Sequence, residues 1–86
     1  MTAAGEANID KDHEEIWAAI DNIAKMNGIS VSRLAKIAGL DATAFNKSKR
    51  AYPSGKLRWP STESVVKVIK RVRMGWGDFL KMVEAT

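Results

Sequence analysis

Two short segments of helical character are separated by a break of only three residues, and this break constrains the fold more than any other feature. The first segment begins at Ser30, which can cap a helix, and its apolar positions share one face as far as Ala38. Gly39 then interrupts the pattern, and we expect it at positive φ, a conformation that a Cβ penalises. Asp41 can cap a following helix from Ala42 to about Arg50. The sequence therefore predicts a tight helical hairpin.

The residues at this break have a spacing that is typical of a helix-turn-helix. Ala35 is small, as the crossing point of two close helices requires, and Phe45 supplies a large apolar anchor from the second helix. The same spacing also occurs by chance in other helical hairpins. The pattern therefore indicates a helix-turn-helix without establishing it.

The rest of the chain predicts three further helices. Residues 1–9 are small, polar and unpatterned, and we expect a flexible tail, followed by a single domain over residues 10–86. Asp12 and Glu15 have capping-box spacing at the start of a first helix that ends at Asn27 and Gly28. Its apolar stripe includes Ile16, Ile20 and Ile23.

A loop is predicted over residues 51–60, which contain both prolines of the chain. Ser61 can cap a fourth helix, whose inward residues are predicted to be Val65, Val66, Val68, Ile69 and Val72. A short last helix from Asp78 is expected to direct Phe79, Leu80 and Val83 to the core. No strand-like alternation is present. The predicted fold is a compact all-α domain of five helices.

Charge is strongly segregated along the chain. Residues 1–28 carry a net charge of −4, whereas residues 41–73 carry +7. Such an asymmetry favours a polyanionic partner, with nucleic acid first and an anionic membrane second. A solvated basic face without a partner is the alternative.

The helical geometry of residues 42–50 predicts which side chains would face that partner. At about 100° per residue, Asn46, Arg50, Thr43 and Lys47 lie roughly 100°, 140°, 160° and 200° from Phe45, so all four point outward. Asparagine can pair with adenine, arginine with guanine, and threonine offers a hydroxyl and a methyl group. Thr43, Asn46, Lys47 and Arg50 are therefore the candidate base-reading residues, with an ordinary polar helix face as the alternative.

A second set of residues has the chemistry of phosphate contacts. These residues are hydroxyl groups at predicted helix N-termini and cations close in sequence to the reading helix, and they are Ser30, Ser32, Lys49, Lys56, Arg58, Ser61 and Thr62. The alternative for these residues, which is no less expected, is that the hydroxyl groups only cap helices and the cations are only solvated. Trp59 is expected to pack over the start of the fourth helix instead of stacking on a base.

Several function classes are disfavoured by the composition. The chain has no cysteine, and its one histidine, His13, is expected at the surface without a metal. Ser64 and Lys67 form an S-x-x-K without the motifs that accompany it in penicillin-binding enzymes. No apolar run approaches the ~20 residues of a membrane span. We therefore expect a cytoplasmic protein with no catalytic residues, metal, cofactor, small-molecule substrate or membrane association.

The runs GLDATAFNKSKR and RWPSTES carry a resemblance to a known family. Between about Ile16 and Phe79 the chain resembles the N-terminal domains of bacterial and prophage repressors related to lambda repressor, notably those that continue into a self-cleaving, LexA-like serine peptidase. The resemblance implies a five-helix domain, operator binding as a dimer, and base contacts from Thr43, Asn46, Lys47 and Arg50. Ser48 stands where many members carry an aliphatic residue, which leaves open how far the third helix extends.

These observations together predict a transcriptional repressor that binds double-stranded DNA sequence-specifically. The recognition helix, about residues 42–50, is expected in the major groove, and the resemblance implies a homodimer formed through a C-terminal domain outside this chain, which would then be a fragment. The alternative is a helical protein-interaction or antitoxin-like module with an acidic protein partner. A peripheral membrane binder is a weaker third option, since no suitable exposed apolar face is apparent.

Overall fold

The computed structural model describes residues 9–85, and within this range the chain is all-helical. Its four α-helices are α1 (Ile9–Met26), α2 (Val31–Ile37), α3 (Thr62–Arg71) and α4 (Trp76–Ala85). α1 packs against α2 and α4, and α2 packs against α3. The predicted tail over residues 1–9 lies outside the described residues apart from Ile9, which begins α1.

The core is formed by the apolar stripes that the sequence predicts. Ile20 and Ile23 of α1, Leu34 of α2, and Val68 of α3 are fully buried, and Phe45 reaches the same core from the connection between α2 and α3. The small side chain of Ala35 is also fully buried, as expected for a close helix crossing. The apolar patterning therefore predicts this core correctly.

The third predicted helix, over residues 42–50, is absent, and the prediction of five helices is wrong. Asp41 accepts a hydrogen bond from the Thr43 N–H (2.9 Å), as a capping residue would, but only turns and a 3₁₀ helix over Lys47–Lys49 follow. The amides of Ala44 and Asn46 bond to carbonyls three residues earlier, not four. Below, residues 41–50 are called the 41–50 segment.

Local composition does not exclude an α-helix there, because the segment contains Ala, Lys and Arg beside the weaker helix formers Thr, Phe, Asn and Ser. The conformation and bonds of individual residues interrupt the helix instead. Asn46 is extended, with φ −65° and ψ 153°, which interrupts any helix at that residue. The Phe45 carbonyl, which an α-helix would pair with the Lys49 amide, accepts from the Arg50 guanidinium instead (2.9 Å).

The ends of the other helices are partly as predicted. The Ser30 and Ser61 side chains accept from the Arg33 and Ser64 amides, as N-caps of α2 and α3. α1 begins at Ile9, three residues before the predicted capping box. α4 begins at Trp76 and not at Asp78.

Leu80 does not reach the core as predicted. Its side chain is 56% exposed, whereas Phe79 is buried and Val83 is half-buried. One residue corresponds to about 100° of rotation on a helix, so Leu80 turns away from the side on which its neighbour Phe79 is buried. Only two of the three predicted core contacts of α4 are therefore made.

Three helices end in the same hydrogen-bond motif, and the residue at the left-handed position is glycine after α1 and α2 but arginine after α3. Gly39 ends α2 at φ 81°, while Arg73 ends α3 at φ 60°. In both cases the next residue bonds back over five positions, Leu40 to Ala35 (2.8 Å) and Met74 to Ile69 (2.8 Å). The predicted positive φ of Gly39 is confirmed.

The ends of α2 and α3 predict that adding a side chain at Gly39 and removing one at Arg73 change the free energy of unfolding in opposite directions. Gly39→Ala should lower the free energy of unfolding by about 1 kcal/mol, because a Cβ is strained at positive φ. Arg73→Gly should raise it by about 0.5 kcal/mol, since relief of the same strain exceeds the added flexibility of the unfolded chain. Urea unfolding of both variants measures the two signs, and equal signs would contradict the assignment.

Candidate nucleic-acid interface

One face of α1 carries three side chains that hold the chain between α2 and α3 in place. His13, Trp17 and Asp21 are spaced by four residues and therefore lie on one side of the helix. His13 is only 8% exposed and Trp17 is 3% exposed. The expected surface position of His13 is wrong, because the connecting chain after α2 folds over it. We call these three residues the α1 polar stripe.

Arg50 points into the protein toward this stripe. Its guanidinium donates to both carboxylate oxygens of Asp21 (2.7 and 3.0 Å) and lies 4.7 Å from the centroid of the Trp17 ring. The Arg50 side chain is 15% exposed. The predicted outward direction of Arg50 is wrong, since it assumed helical rotation through a segment that is not an α-helix. Its charge is used inside the fold.

His13 and Trp17 hold the two ends of the loop that follows the 41–50 segment. His13 Nε2 lies 2.9 Å from the Arg50 carbonyl and 2.9 Å from the Arg58 carbonyl. Carbonyl oxygens only accept, so Nε2 carries a proton and donates to them. The Trp17 indole N–H donates to the Arg58 carbonyl (2.9 Å). The indole nitrogen also lies 3.1 Å from His13 Nε2, but because both nitrogens carry protons they form no hydrogen bond with each other.

The loop over residues 51–57, whose ends are held by His13 and Trp17, forms a small hairpin. Ala51 and Leu57 make an isolated antiparallel bridge, and the Tyr52 amide donates to the Lys56 carbonyl (2.8 Å). The Arg58 guanidinium lies 5.3 Å from the Tyr52 ring centroid, within cation–π range. Lys56 is exposed near the tip. The predicted loop is therefore irregular, as expected, but internally hydrogen-bonded.

The other candidate base-reading residues remain at the surface to different extents. Thr43 and Lys47 are exposed and Asn46 is half-buried. No hydrogen bond of the Asn46 amide group is found among residues 9–85. The Thr43 hydroxyl donates to Asp41 (2.7 Å), and the bonds from the Thr43 backbone N–H and hydroxyl hold the pKa of the Asp41 carboxyl below its usual value.

Only part of the candidate phosphate-contacting set is brought together. A cleft of about 410 Å³ lies between the 41–50 segment, the loop and the start of α3, and the residues that line it include Thr43, Lys49, Tyr52, Arg58, Trp59 and Ser61. Ser30, Ser32, Lys56 and Thr62 do not line this cleft. Ser30 and Ser61 cap helices, as the simpler interpretation of them predicts. We call this space the aromatic cleft.

The features considered for catalysis are engaged in structural contacts. Lys67 pairs with Glu63 (3.3 Å), and the Ser64 hydroxyl accepts from Ser61 (2.9 Å). Ser64 and Lys67 thus contact Ser61 and Glu63, respectively. Among residues 9–85 no group of three or more histidine, cysteine or acidic side chains could hold a metal ion, and none of the helices has the length and apolar content of a membrane span.

Sequence reasoning missed the α1 polar stripe and Tyr52. The spacing of His13, Trp17 and Asp21 was a usable signal, because a histidine and an aspartate four residues either side of a core tryptophan place polar groups next to buried surface. Trp59 lies beside the first turn of α3, as expected, but it is 43% exposed.

Comparison with protein-family models, with curated proteins and with solved structures finds no match to this chain.

Proposed function

We propose that this chain is the DNA-binding domain of a bacterial or prophage transcriptional repressor and binds double-stranded DNA sequence-specifically. The observation that carries the proposal is a run without acidic residues. Residues 42–62 contain no aspartate or glutamate and five lysine or arginine residues. Lys47, Lys49, Lys56 and Arg58 make no ion pair with a carboxylate among residues 9–85, so four charges are available for phosphates.

The hydrogen bonds that attach this basic run to α1 also support the proposal. Phosphate contacts fix the register of a protein on DNA only if the groups that make them are held in fixed positions. The carbonyls of Arg50 and Arg58 are bonded to α1, which fixes both ends of the loop that carries Lys56. A rigid basic loop of this kind suits a phosphate backbone better than a freely solvated one does.

Base reading is proposed for the exposed side of the 41–50 segment and not for a recognition helix. Thr43, Asn46 and Lys47 keep the hydrogen-bonding chemistry that base edges require, and the side-chain amide of Asn46 has no hydrogen bond within residues 9–85 to give up. Arg50 is omitted, because Asp21 holds it inside the fold. Lys49, Lys56 and Arg58 would contact phosphates, and dimerisation would come from a domain outside this chain.

Selection of bound sequences from a random duplex pool tests the proposal, and two variants test the assignment of roles. Asn46→Ala should cost about 1–3 kcal/mol at one base position of the selected site, because asparagine reads a base edge. Lys56→Ala should weaken binding to all sequences alike, because it contacts phosphate. Lys81→Ala, at an exposed position on α4, is the matched control and should leave binding unchanged. Fluorescence anisotropy measures each affinity.

The salt dependence supplies a second readout. If all four available cations contact phosphates, the slope of log Kobs against log salt should be about −3 to −4, and Lys56→Ala should reduce its magnitude by about 1. Equal affinity for selected and random duplexes would contradict sequence-specific binding. A loss at every base position for Asn46→Ala would contradict its role as a base reader.

A second candidate function is binding to an acidic protein, and one groove favours it. A groove of about 550 Å³ between the end of α2 and α3 has Ile37 and Val66 in its lining, with Lys67, Lys70 and Arg71 beside them. Apolar and cationic groups together suit an acidic peptide with an apolar anchor. Tight binding of an acidic partner, with Lys70→Ala reducing it and duplex binding weak for all sequences, would favour this function.

A further inference from the structure

The aromatic cleft has a lining that DNA backbone contacts do not require. Two rings, Tyr52 and Trp59, line it from the loop, and they are 45% and 43% exposed. Large aromatic side chains gain stability by burial, and these two rings remain half-exposed although Arg58 contacts Tyr52 and His13 contacts Trp59, so both keep surface on which a further ring could stack. A phosphate backbone makes no use of such rings, whereas an unstacked nucleobase does.

Charged and polar groups around these rings match the rest of a nucleotide. Lys49 and Arg58 line the same cleft and can neutralise a phosphate, while the Asp41 and Thr43 side chains offer hydrogen bonds to the edge of a base. Asp41 uses one carboxylate oxygen, Oδ1, for both of its bonds with Thr43. Cation, aromatic ring and acceptor thus occur together within one cleft.

The size and shape of the cleft agree with a ligand of this class. Its volume of about 410 Å³ lies within the range of roughly 300–1,000 Å³ that small-molecule sites occupy. The Trp59 ring packs against His13 in a T-shaped arrangement, with the ring centroids 5.4 Å apart and an interplanar angle of 84°. The Tyr52 ring is contacted by the Arg58 guanidinium, 5.3 Å from its centroid. The rings are therefore positioned before any ligand arrives.

We propose that the aromatic cleft binds a single unpaired nucleotide, with the base on Trp59 or Tyr52 and the phosphate on Lys49 and Arg58. The nucleotide could be free in solution or be an unpaired residue of a DNA strand, since both present the same base and phosphate. This inference goes beyond duplex binding, in which bases stay paired, and it stands or falls separately from the proposed function.

Titration of the full chain with mononucleotides tests the proposal. The probes are dAMP and dTMP, with deoxyadenosine and inorganic phosphate as the partial ligands, and the readout is the NMR signal of the Trp59 indole N–H. We expect this signal to shift with mononucleotides. Trp59→Ala should raise the dissociation constant between about fivefold and 150-fold, which corresponds to loss of one stacked base. Because variants at this position lack the Trp59 signal, their dissociation constants and that of the unaltered chain are measured by titration calorimetry.

Two variants separate stacking from folding. Trp76 is similarly exposed (49%) but lies on α4 outside the cleft, so Trp76→Ala is the matched control and should leave binding unchanged. Trp59→Phe keeps an aromatic ring and should retain most of the affinity, even if Trp59→Ala lowers stability. If phosphate alone reproduces the shifts and Trp59→Ala has no effect, the cleft is only an anion site and the proposal is wrong.

The DNA arms of the experiment identify the source of the nucleotide. An oligo-dT strand, a duplex with one extrahelical nucleotide and a fully paired duplex are compared for the Trp59 signal. A shift with the first two and not with free mononucleotides supports an unpaired residue of a strand, whereas a shift with dAMP or dTMP supports a free ligand. No Trp59 shift with any unpaired nucleotide overturns the proposal, even if the paired duplex binds elsewhere.

Discussion

Asp21→Ala is expected to lower the free energy of unfolding by about 2–3 kcal/mol, because it leaves the Arg50 guanidinium without its counter-charge inside the fold. The Arg50 side chain is 15% exposed, and its Nε has no hydrogen-bond partner even in the intact protein. The estimate is below that for a fully buried pair since the Asp21 side chain is 40% exposed and solvent screens it. The melting temperature should fall by about 10–20 °C.

A matched control and a double variant isolate the ion pair from general effects on α1. Asp12 is an exposed carboxylate on the same helix, and Asp12→Ala should change stability by less than about 0.5 kcal/mol. Asp21→Ala combined with Arg50→Ala should cost about 1–2 kcal/mol less than the sum of the two single variants, because each single variant already breaks the pair. Additive costs, or equal costs for Asp12 and Asp21, would contradict a coupled pair.

This ion pair shows where reasoning from the sequence stops. The angular prediction for Arg50 followed correctly from helical geometry, but it depended on the 41–50 segment being an α-helix. The Asp21–Arg50 contact joins residues 29 positions apart, and no local pattern specifies it. The guanidinium bonds to Asp21 and to the Phe45 carbonyl, and these tertiary bonds override the local helix propensity of the segment.

The features that the sequence predicts correctly depend on residues close to one another. Ser30 and Ser61 cap their helices through an amide three residues later, and Gly39 ends α2 through bonds within five residues. Apolar periodicity likewise places Ile20, Leu34 and Val68 in the core. Local bonds and burial thus account for the four helices that form.

The candidate site is predicted in part for the same reason. Thr43 and Lys47 are exposed, as predicted, although the segment that carries them is not an α-helix. The half-exposed rings and the fixed loop ends depend on His13 and Trp17, whose partners lie 37 to 45 positions away. The residues of the site can be predicted from the sequence, whereas the long-range contacts that hold them in position are seen only in the tertiary structure.

Phe45→Ala is expected to have the largest effect on stability, with a loss of about 3–5 kcal/mol in the free energy of unfolding. Phe45 is 1% exposed and meets the Trp17 ring edge-on, with centroids 6.3 Å apart. It is the one buried apolar side chain of the 41–50 segment within the described residues. Phe45→Leu, which keeps most of the volume, should cost less than about 1.5 kcal/mol.

The same substitution should also release the 41–50 segment before the rest of the domain unfolds. The amides of Lys49 and Arg50 bond only within the 3₁₀ turn, so the segment has no α-helical bonds of its own and depends on Phe45 and Arg50 for its order. In Phe45→Leu, which stays folded, hydrogen exchange at these amides should accelerate more than at the buried α3 residues Val68 and Ile69. Uniform acceleration at both places would show that Phe45 acts on global stability alone, and the surface proposed to read bases would then be ordered by its own backbone.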